Sequence, residues 1–209
     1  MYRTAREIED ATENIARIQR TIQLSLQLLD QEGRGWTLQK LADSYEIDII
    51  ATNGEEDTTV YILVEPYLEN DPYDLQRVVD RVKSAIRAIG NVYHTDPPMC
   101  QGQPVIVLVI DGAAEGAVES LCQSLASIPT YPLVVIVDGK VLAVYGNGID
   151  LEEAQKLCES MGLCKPHGSG GGGAEPPPSN QEESDISTTI VTAPPVSLMD
   201  GQVRMQSVP

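Results

Sequence analysis

The chain is 209 residues long (22.6 kDa) and sets 31 Asp and Glu against 14 Lys and Arg, a formal net charge of -17. That balance excludes a general binder of phosphate backbones, so only a local basic surface could serve a nucleic acid. Phe is absent and Trp occurs once, so Val, Ile, Leu and Ala must fill the core, and stacking platforms for bases are few.

A long amphipathic helix is predicted over about residues 3–30, where Ile8, Ala11, Ile15, Ile18, Ile22 and Leu29 follow three-and-four spacing broken only at Ser25. This row reads as a seam for a partner helix or for self-association, while Leu24, Leu26 and Leu28 widen it enough to pack on the chain's own body. Gly33 and Gly35 end the helix and set off residues 1–34 as a possible oligomerisation segment. The body, residues 35–165, alternates strand and helix signals. EIDIIATN and TTVYILVEPYL, joined through GEEDT, predict a hairpin. Period-two alternation puts Ile47, Ile49 and Ala51 on one side of its first strand and Glu46, Asp48 and Ile50 on the other; in the second, Val60, Ile62 and Val64 alternate with Tyr61, Leu63 and Glu65.

DPYDLQRVVDRVKSAIRAIG predicts a helix that turns Leu75, Val78, Val79, Val82, Ile86 and Ile89 toward a sheet and carries the largest cationic run, Arg77, Arg81, Lys83 and Arg87. After the loop HTDPPMCQGQ, PVIVLVID reads as an interior strand, AAEGAVESLCQSLASI as a helix, and the next strand as the end of a right-handed crossover. LVVIVDGKVLAVYG is a second hairpin turning at Asp138 and Gly139, and DLEEAQKLCESMG a last helix capped by Asp150. The expected fold is α/β, a single mixed β-sheet flanked by helices, with the choice between one and two covered faces left open.

Residues 166–209 turn to Gly- and Pro-rich sequence with five acids and one Arg, which reads as a flexible acidic tail; its short apolar islands, Ile190-Val191 and Val196 to Met199 with Leu198, could order as a docking peptide on a partner, though such islands also occur by chance in long tails. Residues 1–165 carry 26 acids and 13 bases, so the acidity is not a tail effect. No apolar run approaches the ~20 residues of a membrane span, and the start is polar, so an unexported, cytoplasmic protein with no membrane partner is expected. Cys100, Cys122, Cys158 and Cys164 lack CxxC pairing and read as reduced, structural thiols. His94 and His167 stand apart, which disfavours a His-containing metal cluster. IDGAAEG lacks the spacing of a phosphate loop, so Gly112 reads as a turn; Asp111 and Asp138 follow strands and could line a sheet-edge pocket.

Over about residues 36–128, the order helix, EIDIIATN, YILVEPYL, helix resembles the restriction-endonuclease-like family, the PD-(D/E)XK nucleases. The resemblance implies that Asp48 and Glu65 hold divalent metal and a water molecule. Two carboxylates on neighbouring strands can bind magnesium, and a nearby lysine would orient the attacking water and stabilise the developing phosphate charge. The chain departs from the family where it has Pro66 and Tyr67 in place of a variable residue and lysine; Tyr67 supplies no permanent cation, so Lys83 or Arg81 would have to act from the following helix. Over about residues 128–162, IPTYPLVVIVDGKVLAVYG resembles the proline-plus-hairpin portion of the thioredoxin fold, but Cys100 and Cys122 do not form the paired-cysteine site that redox exchange needs.

The leading functional expectation is a noncatalytic protein-binding or regulatory adaptor with no cofactor, using Ile15, Ile18, Ile22 and Leu29 of the helix and Val196, Leu198 and Met199 of the tail. Its partner would be another protein or a second copy. The alternative is a divalent-metal-dependent nuclease hydrolysing phosphodiester bonds. In that reading Asp48, Glu65 and Lys83 are catalytic, Asp48 and Glu65 hold Mg, and Arg77, Arg81 and Arg87 contact the nucleic acid. Convergence of Asp48 and Glu65 is the geometric discriminator.

Overall fold

A computed structural model describes residues 5–39, 47–95 and 103–164, without the side chains of residues 5–10, 32, 92–95 and 103. Cys100, His167 and the tail with Val196, Leu198 and Met199 lie outside the described residues, as do the side chains of Ile8 and His94. The elements are α1 (Ala5–Leu29), β1 (Trp36–Leu38), β2 (Ile49–Asn53), β3 (Thr58–Glu65), α2 (Pro72–Thr95), β4 (Gln103–Ile110), α3 (Ala117–Leu125), β5 (Leu133–Val137), β6 (Lys140–Tyr145) and α4 (Leu151–Ser160).

One mixed sheet holds all six strands in the order β1-β2-β3-β4-β5-β6. The pairs β1-β2, β2-β3 and β5-β6 are antiparallel, and β3-β4 and β4-β5 are parallel, as the two intervening helices require. β1 is an addition to the expected hairpin: its three residues are too few to show a period, yet they pair from Trp36 opposite Asn53 to Leu38 opposite Ala51.

Helices cover both faces. Val60, Ile62, Val105, Val107, Val134 and Ile136 face Leu24 and Leu28 of α1 and Ala154 and Cys158 of α4. The alternate residues, among them Leu63, Ile106, Leu108 and Val135, face Val78, Val82 and Ile89 of α2 and Leu121 of α3. Two-sided burial is why the central strands read as nearly unbroken apolar runs. Ile47 departs from the expected alternation: it precedes β2 and joins the α2 side of the core, while Ile49 and Ala51 join the α1 side.

Local chemistry explains the boundaries. Asp71 accepts from the Tyr73 and Asp74 amides and Pro72 takes the first helical position, so α2 starts there. Helix α3 starts only at Ala117, shorter than expected, because Gly116 ahead of it is left-handed (φ 73°) and supplies no side-chain cap. Asp150 and Glu153 form a reciprocal capping box at α4. Asp138 and Gly139 both take positive φ in the tight turn between β5 and β6. No helix of the described residues is long and apolar enough to cross a membrane.

Candidate functional site: a carboxylate and guanidinium network beside an exposed helix face

β2 pairs with β3 only as far as Ile49 opposite Ile62, with the Asp48 amide adding one bond of 3.0 Å to the Ile62 carbonyl. Beyond that point no strand of the described residues pairs with the amide and carbonyl of Val64. Side chains complete the ladder: Asp48 Oδ2 accepts from the Val64 amide at 2.7 Å, and Arg81 Nη1 donates to the Val64 carbonyl at 2.8 Å. Leaving either backbone group buried and unpaired would cost ~1–3 kcal/mol.

Glu65, the next residue, projects from the α2 side of the sheet and is fully buried. Its carboxylate accepts from Arg81 Nη1 at 2.6 Å and from Arg77 Nη2 at 3.1 Å. Arg81 reaches Asp48 Oδ2 with Nη2, so one guanidinium bridges the two carboxylates; Nε of Arg81 is buried with no partner among the described residues. Arg77 also binds Asp74 Oδ1 at 2.7 Å and Glu13 Oε1 of α1 at 2.5 Å. Arg17 approaches Asp48 at 3.8 Å, and Arg20 meets Asp111, at the end of β4, at 2.6 Å. The first half of α1 thus crosses the carboxyl ends of β3 and β4, held by ion pairs of both polarities.

Burial pushes the Asp48 carboxyl above the usual range, although Arg81, the Val64 amide and Arg17 all pull the other way. Burial does the same to Glu13. For Arg77, burial disfavours the cation, but Glu65, Asp74 and Glu13 outweigh it and raise its pKa. Guanidinium suits this setting because its planar fork can satisfy several oxygens at once.

The structure therefore brings together Asp48, Glu65, Arg77 and Arg81. The remaining basic residues lie elsewhere: Lys83 is exposed and 3.7 Å from Asp80, Arg87 donates to Ser84, and both line an open surface depression with Asp80, Ile86 and Ile128. The four basic residues do not form one patch, because Arg77 and Arg81 are turned into the carboxylates. Magnesium does not fit between Asp48 and Glu65 as they stand, since Arg81 already bridges their oxygens with its own positive charge. Among the described residues no three His, Cys, Asp or Glu side chains form a metal-binding set. At the adjoining ends of β4 and β5, Asp111 pairs with Arg20, and Asp138 takes a positive φ in its turn while its amide donates to the Ile110 carbonyl.

The other feature is the outer face of α1. Thr21, Leu24 and Leu28 are buried, whereas Ile15, Ile18, Ile22, Leu26 and Leu29 are 58%, 56%, 54%, 58% and 44% exposed. The expected seam residues Ile15, Ile18, Ile22 and Leu29 lie open to solvent together with Leu26, and of the leucines expected to widen the seam Leu24 and Leu28 pack on the sheet.

Glu13 and Arg17 are parts of the network that sequence reasoning missed, because their partners lie far off in the chain; Asp74, three positions before Arg77, was missed although that spacing marked it. A pair of thiols was missed as well. Gly162 (φ 72°) ends α4 in a Schellman turn whose amides bond back to the Cys158 carbonyl, folding Cys164 onto Cys158. The mutual thiol hydrogen bond raises the Cys158 pKa, with burial adding to it, and lowers that of Cys164. Their six-residue spacing is no familiar motif.

The chain matches no protein-family model, its sequence matches no curated protein, and its fold matches no solved structure.

Proposed function

We propose that this chain is a noncatalytic protein-binding domain, a regulatory adaptor, which engages a protein through the exposed row of α1. The observation that carries the reading is that row: five large apolar side chains lie in line on a helix whose opposite side is already packed on the sheet. Contiguous apolar surface of this kind marks interaction sites. The network beside it supports a structural role, because Asp48 and Arg81 take the place of a missing strand partner and tie β3, α2 and α1 together. In this reading the chain is a degenerate relative of the restriction-endonuclease-like family, with Arg81 standing where the resemblance would put a metal ion. A cytoplasmic setting suits its free thiols.

Crosslinking of the purified chain to its partner, mapped by mass spectrometry, tests the proposal. Contacts should fall on residues 12–29 and disappear in the Ile18→Asp, Leu26→Asp variant; a contact map unchanged by these substitutions would overturn it. The convergence of Asp48 and Glu65 favours a second reading, the Mg-dependent nuclease. That reading requires Arg81 to leave the carboxylates, and Mg-dependent cleavage of DNA or RNA that Glu65→Gln abolishes would establish it.

A further inference from the structure

We propose that the partner of α1 is a second copy of this chain, and that two α1 helices pair antiparallel about a two-fold axis at Ile22. This rests on the reading of α1 as the binding surface and names what binds there. The first argument is positional. In an antiparallel two-fold pair, residues equidistant from the axis face each other. The five exposed apolar residues are symmetric about Ile22: Ile18 and Leu26 lie four positions to either side, Ile15 and Leu29 seven. Ile15 of one copy would then meet Leu29 of the other, Ile18 would meet Leu26, and Ile22 would meet itself. Every apolar residue of the row finds an apolar partner.

The second argument is charge. Between Thr12 and Leu29 every exposed residue of α1 is uncharged, the five apolar side chains being flanked by Thr12, Asn14, Gln19, Gln23 and Gln27. The charged residues of that stretch, Glu13, Arg17 and Arg20, are paired with Arg77, Asp48 and Asp111, and Arg17 and Arg20 also donate to Asn14 and Gln23 at the border of the row, so their charges are compensated beside it. In a chain of net charge -17 this face is a neutral strip. It offers nothing for a basic partner to read, and it lets two like-charged copies meet where neither carries charge. Antiparallel pairing also opposes the two helix dipoles. The two rows supply on the order of 1,000 Å² of apolar surface, in the range of weak, transient interfaces and below that of stable ones, so a weak, concentration-dependent pair is expected.

Sedimentation of the full chain across about 1–300 µM provides the test. The mass should rise from 22.6 kDa toward twice that value, and raising the salt should tighten the pair, because only long-range repulsion between acidic bodies is screened. Ile22→Asp sets two carboxylates face to face on the axis and should weaken association at least tenfold, with circular dichroism unchanged, and melting unchanged at about 1 µM or below, where the parent is also a single chain, because Ile22 is exposed there. Under mild oxidation, with the unaltered chain as control for its native thiols, Ile22→Cys should give a covalent dimer. Ile15→Cys alone should not, and Ile15→Cys combined with Leu29→Cys should. A covalent dimer from Ile15→Cys alone means parallel pairing and overturns the axis. A mass of 22.6 kDa throughout overturns self-pairing. If that monomer crosslinks α1 to another protein, or to its own residues 190–199, a different occupant covers the row; loss of every α1 contact, with Ile22→Asp indistinguishable from the parent, would also remove the protein-binding reading.

Discussion

Arg81 shows how much a single side chain can decide. It bonds the Val64 carbonyl at the buried end of β3, pairs with a fully buried Glu65 and reaches Asp48, with only 8% of its side chain exposed. Removing one partner from a buried ion pair leaves the others uncompensated, which typically costs ~3–5 kcal/mol. Arg81→Met is therefore expected to lose about that much in urea unfolding, whereas Lys83→Met, at an exposed pair, should change stability by less than about 1 kcal/mol. Equal losses would contradict the structural role given to Arg81. Asp48 adds a pH signature. Its folded pKa lies above the ordinary 3.8, so the folded state holds the proton more tightly than the unfolded chain, and stability falls as pH rises through the interval above 3.8. Asp48→Asn removes that contribution, so relative to the parent it should gain stability as the pH is raised from about 3.5 to 6. A parent that instead gains on the variant over this range would show that Arg81 outweighs burial.

At the scale of elements, α1 has two apolar sides with different fates. Leu24 and Leu28 are 1% exposed, so Leu24→Ala is expected to cost ~2–5 kcal/mol through lost burial and a cavity. Ile18→Ala, on the open row, should leave thermal unfolding of the isolated chain within about 0.5 kcal/mol of the parent. The strand and helix periods of β2 to α4 were legible from sequence because each element repeats its pattern over several residues. Two features had no such signal. β1 has three residues, and the position of Ile47 is set by the chain bending before β2 begins.

For the whole molecule, the two-faced sheet places a core on each side, and both are built from residues 24–164. Deleting the residues after 168 is expected to leave the thermal midpoint within about 2 °C, a change of well under 1 kcal/mol, since their Gly- and Pro-rich sequence supplies little to bury. A drop of 10 °C would mean that the tail contributes to the body. The acidic imbalance is shared across the molecule, yet between Thr12 and Leu29 the exposed residues of α1 carry none of it. Only folding reveals this, because Glu13, Arg17 and Arg20 sit among the same helical residues and are drawn to partners on β2, β4 and α2.

The sequence by itself determined the α/β class, the order of the long elements, the cap at Asp150, and the turn at Asp138 and Gly139. These depend on neighbours within a few positions, where backbone geometry and hydrophobic period act directly. It also pointed to Asp48 and Glu65, one on each arm of a hairpin. Only the tertiary structure decided what fills the space between them. Arg81 lies 16 positions beyond Glu65 on a helix whose basic residues all look alike in the sequence, and its inward turn depends on where α2 crosses the sheet. The same packing divided α1 into a buried side and an open one, because a helix with apolar residues on two sides can rest on its own sheet with only one of them.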